Sequence, residues 1–247
     1  MTTWPPRAKD ALVAMRAIVR QRTRCNLQDY FHLVLVLSDE ENFEKTDLIN
    51  KMRAMDVEVL FDKGNIRSHK KLIPTIEKFP DNPILVVDDD AIQHDWWLST
   101  FLKDHQEKPD DIIFGQSRSR IVCTNNHIHE VAADFVAGSC YKDMKPSSGA
   151  AGTLYPAGTF SDSRFFDREL FMRLSPSSDE VWQWVFATIK GCNFRSLSGA
   201  NFPTSFGADQ AVSLFSENKD KYDNIHNLIA SEVPEYLEAI KQICKPF

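Results

Sequence analysis

Residues 82–97 read NPILVVDDDAIQHDWW: five apolar side chains from Pro83 to Val87, then Asp88, Asp89 and Asp90 side by side. An unbroken apolar run of this length marks a strand buried on both faces, as in a sheet covered by helices. The same order recurs upstream. The run HLVLVLS, His32 to Ser38, predicts a buried strand, Glu44 to Met55 a helix, Val57 to Phe61 a strand, and Lys70 to Lys78 another helix. Trp96 to His105 continues as a helix, and Ala8 to Arg20 predicts one entered through the Pro5-Pro6 turn. Strands alternating with helices at this pitch predict right-handed βαβ units and an open sheet of the nucleotide-binding type over roughly the first 105 residues.

The acidic triplet needs a cause. Two carboxylates about 4 Å apart at an effective dielectric near 20 repel by roughly 4 kcal/mol, so three at a strand end are unfavourable unless something neutralises them. In open α/β sheets ligands collect beyond the carboxyl ends of the strands, where Asp88 to Asp90 fall, and a divalent cation would supply the missing charge. A solvated turn in which Asp88 or Asp90 caps the next element would account for the same residues. The segment Gly64-Asn65-Ile66-Arg67-Ser68-His69-Lys70-Lys71 follows another strand and should reach the same edge, bringing Arg67, Lys70 or Lys71 near the acids. A cation held by one or two carboxylates keeps positions for water and substrate phosphates, and basic side chains would complete a diphosphate site. For Lys71 alone, a solvated helix face is the expectation.

Beyond Pro109 the pattern changes. Asp111 to Gly115, Ser119 to Cys123 and His127 to Val131 predict shorter, antiparallel strands, with Asn125-Asn126 as a tight turn. Tyr141 to Gly152, rich in Lys, Pro, Ser, Gly and Ala, predicts a mobile loop leading into a strand Thr153 to Tyr155. Helices are expected around Asp179 to Lys190, Asp209 to Glu217 and Val233 to Cys244. With no repeat, linker or low-complexity tail, residues 1–247 are assigned to one domain, a nucleotide-binding half at 1–105 and an acceptor-side half at 106–247.

Composition sets limits. A net charge of −6 argues against nonspecific nucleic-acid binding and against an anionic membrane surface, both of which need a basic face. Five scattered cysteines, odd in number and without CxxC spacing, fit a reducing compartment, so a cytoplasmic protein is expected. No apolar run approaches the roughly 20 residues that span a bilayer, so any membrane contact would be peripheral. His127 and His129 share a face of one strand but lack partners at zinc-ligand spacing. No cysteine has an evident His partner for thiol catalysis. Trp96, Trp97, Trp182 and Trp184 are expected in the core.

Taken together, TTWPPR, GNIRSHKKLIP, ILVVDDD followed by DWW, SSGAAGTLYPAGTF and SSDEVW resemble, in order and over most of the chain, a family of bacterial glycosyltransferases of the GT-A fold. The resemblance implies a single Rossmann-like α/β domain of the nucleotide-diphospho-sugar transferase type. Its central sheet would be mostly parallel and flanked by helices, with a smaller antiparallel part on the acceptor side. It implies a nucleotide-sugar donor, UDP by frequency, a carbohydrate or glycolipid acceptor, and Mn²⁺ or Mg²⁺. Many relatives build cell-surface polysaccharide or lipopolysaccharide.

By that resemblance Asp88 lies towards the ribose, Asp89 completes the donor side of the triplet, and Asp90 ligates the metal, with Asp88 beside it. Thr3, Pro5, Arg7, Asp39 and Asp62 would surround the nucleoside, and Arg67 and Lys70 would hold the same half of the donor. Gly149 and Gly152, in the small-residue run, would border the donor sugar and acceptor. A loop leading into the next strand would give the same composition. Asp179 and Glu180 match an acidic pair that precedes an aromatic residue, and one of them would take the acceptor's proton. A helix start capped by Ser178 would also explain both acids. Asp223 or His226 could reach the metal, although solvated surface positions are the plainer reading.

The chain departs from the family at several points. The motif TTWPPR stands almost at Met1, so the strand that normally precedes it is expected to be short or missing. Ala151 replaces a Gly, Ala157 a second Pro, and Glu180 the second Asp of the pair. Two other functions fit parts of the pattern: a nucleotide-sugar-binding protein without transfer activity, and a metal-dependent phosphatase with an Asp nucleophile.

Overall fold

The computed structural model describes residues 1–43, 47–147, 149–199, 204–205 and 221–244, the pair 204–205 by backbone alone. After a 3-10 turn at Pro5–Arg7, helix α1 (Ala8–Arg24) leads to a parallel pair of strands, β1 (Leu33–Ser38) and β2 (Val57–Asp62), in register from Leu33 and Val57 to Ser38 and Asp62. Helix α2 (Leu48–Arg53) makes the crossover. The predicted helix from Glu44 is therefore shorter, with 44–46 outside the described residues. In place of a full strand before β1, Thr2 forms one parallel bridge to Val36, secured by Val36 N donating to Met1 O at 3.0 Å and Thr2 Oγ1 donating to Val36 O at 2.7 Å.

A 3-10 turn, Arg67–Lys71, precedes α3 (Ile73–Lys78), and β3 (Ile84–Val86) carries the triplet just past its end. The chain then forms β4 (Ala91–Ile92), α4 (Trp97–Glu107), β5 (Ile112–Phe114), and a hairpin of β6 (Ser117–Thr124) and β7 (His127–Ala132). Asn125 and Asn126, with φ of 52° and 62°, make the expected two-residue turn of that hairpin. Strands β8 (Cys140–Tyr141), β9 (Met144–Pro146) and β10 (Thr153–Tyr155) follow, then α5 (Arg168–Leu174), α6 (Asp179–Ile189), β11 (Phe194–Ser196), β12 (Thr204–Ser205), α7 (Tyr222–Glu232) and α8 (Pro234–Ile243).

The largest described sheet runs β3-β10-β5-β11-β8 and is mixed, which corrects the expectation of a mostly parallel one. Strand β10 inserts between β3 and β5 antiparallel to both, β11 is parallel to β5, and β8 is antiparallel to β11. The physical reason is plain. A buried apolar run reports that both faces are covered and says nothing of direction, and strands of three residues carry no other signal. The first crossover, β1-α2-β2, is parallel as read.

The expected mobile loop at 141–152 is instead packed at residues 144–146 and 149–152. Met144, Lys145 and Pro146 are buried in β9, which pairs with β6. Gly149 O accepts from Asp88 N at 2.9 Å, and Gly115 N donates to Gly152 O at 2.8 Å. The small residues are there because space is lacking. A Cβ on Gly149 would stand 2.3 Å from Asp88 Oδ1, and one on Gly152, whose φ is +85°, would stand 2.4 Å from Trp97 Cζ2. Ala151 is not at positive φ, so its methyl is unstrained; its carbonyl accepts from Trp97 Nε1 at 2.8 Å.

Two cores flank the sheets. One gathers α1, β1, α2, Trp97 and Phe101. The other gathers Phe114, Phe165, Phe171, Trp182, Trp184 and Tyr236. Trp97, Trp182 and Trp184 are buried as expected, whereas Trp96 is 54% exposed beneath Arg24, because α4 starts one residue later and turns it outward. Helices α5 and α7 were not anticipated, and the expected helix at 209–217 lies outside the described residues. Among the described residues no helix is long and apolar enough to cross a membrane.

Candidate active site

The triplet occupies the turn between β3 and β4. Asp89 is buried, and both its oxygens are taken: Oδ2 accepts from Thr3 Oγ1 at 2.6 Å and Oδ1 from Arg7 Nη1 at 2.9 Å. The other guanidinium nitrogen, Nη2, donates to Asp90. Thr3 and Arg7 reach the triplet because the Thr2 bridge lays the N-terminal segment along β1 and Pro5, opening a 3-10 turn, brings Arg7 round.

Asp88 faces the other way. Its Oδ1 accepts from Lys71 Nζ at 2.7 Å, and the same ammonium lies 3.3 Å from Asp179 Oδ2. The expectation of a solvated face for Lys71 is not met: its side chain is only 7% exposed. It joins three segments: the turn after β2, the strand end carrying the triplet, and the start of α6. Asp179 also accepts from Gln183 Nε2 at 3.1 Å, and Gln183 Oε1 accepts from the Tyr155 hydroxyl at 2.8 Å. Glu180, one residue on, is partly exposed and accepts from the Tyr222 hydroxyl at 2.9 Å.

The environments drive the two acids of the pair apart. Burial raises the Asp179 pKa, but Lys71 and then His69 overcome it and hold the carboxyl below its ordinary value. For Glu180 burial prevails over the opposing Lys145 charge, and the pKa is raised. Burial likewise pushes Asp89 up to about 6 against the pull of Arg7, and raises Asp90 with help from Asp88. Desolvation would lower Lys71, but Asp179 and Asp88 more than reverse it. Glu180 is thus the more basic carboxylate and the more accessible one, while Asp179 is locked to a lysine.

The donor set bears on a cation. Around this point stand four carboxylates, Asp88, Asp89, Asp90 and Asp179, against two cations, Arg7 and Lys71, an excess of two negative charges. Asp88 and Asp90 keep 28% and 19% of their side chains exposed. Two hard oxygen donors with unbalanced charge suit Mg²⁺ or Mn²⁺ completed by water and phosphate oxygens. Among the described residues no cluster of three or more His, Cys, Asp or Glu could hold a metal alone.

Other predicted residues are placed elsewhere. Lys70 is buried and paired with Glu41 at 2.7 Å. Both Asp62 oxygens are taken by Arg168, at 2.6 and 3.2 Å, and Asp39 accepts from Gly64 N at 2.8 Å, tying the loops after β1 and β2. Arg67 is exposed at the head of its turn, at φ of +51°. Ser178 makes no side-chain cap on α6. Asp223 accepts from Glu130 N at 2.8 Å and contacts His129 at 3.0 Å. His226 is fully buried, with Nε2 facing Glu130 at 3.3 Å and Nδ1 facing the Tyr236 hydroxyl at 2.6 Å. With both ring nitrogens occupied, His226 has none to offer a metal, and neither residue is brought to the triplet. The spacing Tyr222, His226, Ile229, Val233 was the signal of a buried helix face there.

No protein-family model matches the chain, and no curated protein matches it in sequence. Among solved structures, S. aureus TarS 1–349 aligns with a TM-score of 0.56 and 13% identity, covering 97% of this chain and 68% of that one. The chain is similar in fold to TarS. A second TarS 1–349 structure, in complex with UDP, aligns with the same TM-score and 14% identity over 98% of this chain and 68% of that one. At this identity the likeness to TarS is one of architecture.

Proposed function

We propose that the protein is a glycosyltransferase that moves a sugar from a UDP-activated donor to a hydroxyl of a carbohydrate or glycolipid, with inversion. The observation that carries the reading is the Lys71 ammonium, 2.7 Å from Asp88 and 3.3 Å from Asp179, which unites a donor-side acidic triplet and an acceptor-side acidic pair in one site. The TarS fold, solved in one case with UDP, supports the donor class.

In this reading Thr3, Arg7 and Asp89 form a rigid wall on the nucleoside side, and Asp88 and Asp90 would hold Mn²⁺ or Mg²⁺. When bound, the ion would offset the charge of the departing diphosphate. Lys71 and Arg7 add fixed positive charge on the same side. Glu180 takes the proton of the acceptor hydroxyl as that oxygen bonds to the anomeric carbon. The bond from that carbon to the diphosphate oxygen breaks, and its electron pair leaves with the nucleoside diphosphate. Asp179 holds Lys71 in place.

The bridge from Thr2 to Val36 seats Thr3 and Arg7 against Asp89, as a donor site requires, and donor hydrolysis separates transfer from binding alone. Calorimetry with UDP tests the reading: tight binding with Mn²⁺ and weak binding in chelator, together with slow release of sugar from UDP-sugars, is expected. Equal UDP affinity in both conditions overturns the metal, and absence of sugar release across a donor panel overturns transfer.

A further inference from the structure

We propose that Tyr222 is a positioning residue for the base Glu180, and that the buried cluster of Lys145, Glu130 and His226 fixes Tyr222 in that role. The inference rests on the reading of Glu180 as the base and adds residues that the acidic motifs do not contain.

Tyr222 opens α7, and its hydroxyl donates to Glu180 Oε1 at 2.9 Å. Such a bond fixes the carboxylate's rotamer and leaves its other oxygen to meet a proton. The tyrosine ring is itself clamped, since the Lys145 ammonium lies 4.8 Å from its centroid. Lys145, on β9, is 4% exposed and pairs with Glu130 at 3.3 Å. Glu130, on β7, accepts from Ser119 Oγ at 2.6 Å and faces His226 at 3.3 Å; His226 in turn meets the Tyr236 hydroxyl at 2.6 Å. Five elements, β6, β7, β9, α7 and α8, therefore converge on one phenol that touches one carboxylate.

A buried lysine with one acid partner could be simple packing. Here the charge faces an aromatic ring whose polar end addresses the acidic pair, and Lys145 also acts directly on Glu180, opposing the rise that burial imposes. The charged and titratable groups facing Glu180 are Tyr222 from α7, Lys145 from β9, Lys71 from the turn before α3, and Asp179 from its own helix. Tyr222 supplies a side-chain hydrogen bond to the Glu180 carboxylate, beside one from the Glu180 backbone N–H, and it does so to the charged form, the one that must accept a proton.

The test is side-chain carboxyl NMR on the glutamate-labelled 247-residue chain, with the Glu180 signal assigned by its loss in Glu180→Gln. In Tyr222→Phe, which keeps the ring over Lys145, the Glu180 titration should move up by about one pH unit. The double variant Lys145→Met/Glu130→Gln, which leaves no unpaired buried charge, should move it in the same direction. With UDP-glucose and UDP-N-acetylglucosamine as donors, Tyr222→Phe should lower kcat about tenfold, leave KM unchanged, and shift the acid limb of the pH profile upward. A Glu180 titration unmoved in Tyr222→Phe overturns the proposal whatever the activity and whatever the double variant does, because loss of the Lys145 charge alone moves Glu180 upward. A titration that moves while the wild type turns over neither donor supports the coupling and counts against the transferase reading instead.

Discussion

Two of the lysines buried against acids, Lys71 and Lys145, sit in different kinds of place. Lys145 faces Glu130 in a cluster where one cation meets one carboxylate and His226 is kept uncharged by burial. Lys71 and Arg7 face four carboxylates, two of them partly open to solvent. The first cluster is balanced and closed, and the second is short of positive charge and open. Burial of charge alone therefore does not mark a ligand site, since structural pairs do the same. An unbalanced charge that a ligand could complete does.

The sharpest way to break the contrast is at the acidic pair. Glu180→Gln should lower sugar transfer or donor hydrolysis by roughly 10²- to 10⁴-fold, the usual worth of a general base, with UDP affinity unchanged by calorimetry. A loss of UDP affinity would instead place Glu180 on the donor side.

The lysines themselves come next. Lys71→Met and Lys145→Met should each cost about 3–5 kcal/mol in denaturant unfolding, because each leaves buried acid without its partner. Only the open cluster should then respond to a cation. Saturating Mn²⁺, at about a hundred times the wild-type Kd, should add about 2.7 kcal/mol to wild type and to Lys145→Met, which keep Asp88 and Asp90 as they are, and more to Lys71→Met, where loss of the ammonium leaves Asp88 freer to bind the ion. Equal rescue of both, or of neither, would erase the distinction.

Acid should act on the closed cluster with a definite sign. Burial raises Glu130, but Lys145 and His226 overcome it and bring its pKa down from 4.5 to about 2. A folded-state pKa below the unfolded one means that this stabilisation is present above pH 4.5 and is lost as pH falls towards 2. Burial holds His226 below its ordinary 6.5, so the unfolded chain takes up that proton first, and stability again falls with acid. Glu130→Gln/Lys145→Met should be nearly as stable as wild type at neutral pH and lose less on acidification. The difference should reach about 3 kcal/mol at most, read from chemical unfolding at roughly pH 6 and roughly pH 3.

How far the sequence carries differs between these regions for a physical reason. The apolar runs before Asp39 and Asp88 announced β1 and β3, because burial on both faces is written in composition, and the triplet's repulsion announced that something must neutralise it. Which lysine does so was not legible. Lys70 and Lys71 are neighbours on a 3-10 turn, where successive side chains point about 120° apart, so one meets Glu41 and the other Asp88. His226, for which a solvated surface position is the plainer expectation and a metal contact the alternative, is instead buried in a helix face, because the spacing Tyr222, His226, Ile229 outweighs its polar neighbours Asp223 and Asn224. The direction of β10, and hence the mixed sheet, depends on a chain path through Lys145 to Gly152 that composition alone presents as a loop.

The smallest effect concerns the nucleoside wall. Thr3→Val keeps the side chain's shape and removes one buried hydrogen bond, leaving Asp89 Oδ2 without its 2.6 Å donor while Arg7 still holds Oδ1. That should cost about 1–3 kcal/mol of stability, since the carboxylate stays buried with a lone pair unmet. Because Asp89 is already pushed up to about 6 by burial, losing the Thr3 hydroxyl raises it further. If the wall meets the nucleoside as proposed, UDP affinity in Mn²⁺ should fall by about tenfold or less, with kcat for the bound donor unchanged, because Glu180 lies on the opposite side of Lys71 from Thr3. A fall in kcat without a change in affinity would move Thr3 and Asp89 from the nucleoside side to the reacting centre and reverse the polarity assigned to the site.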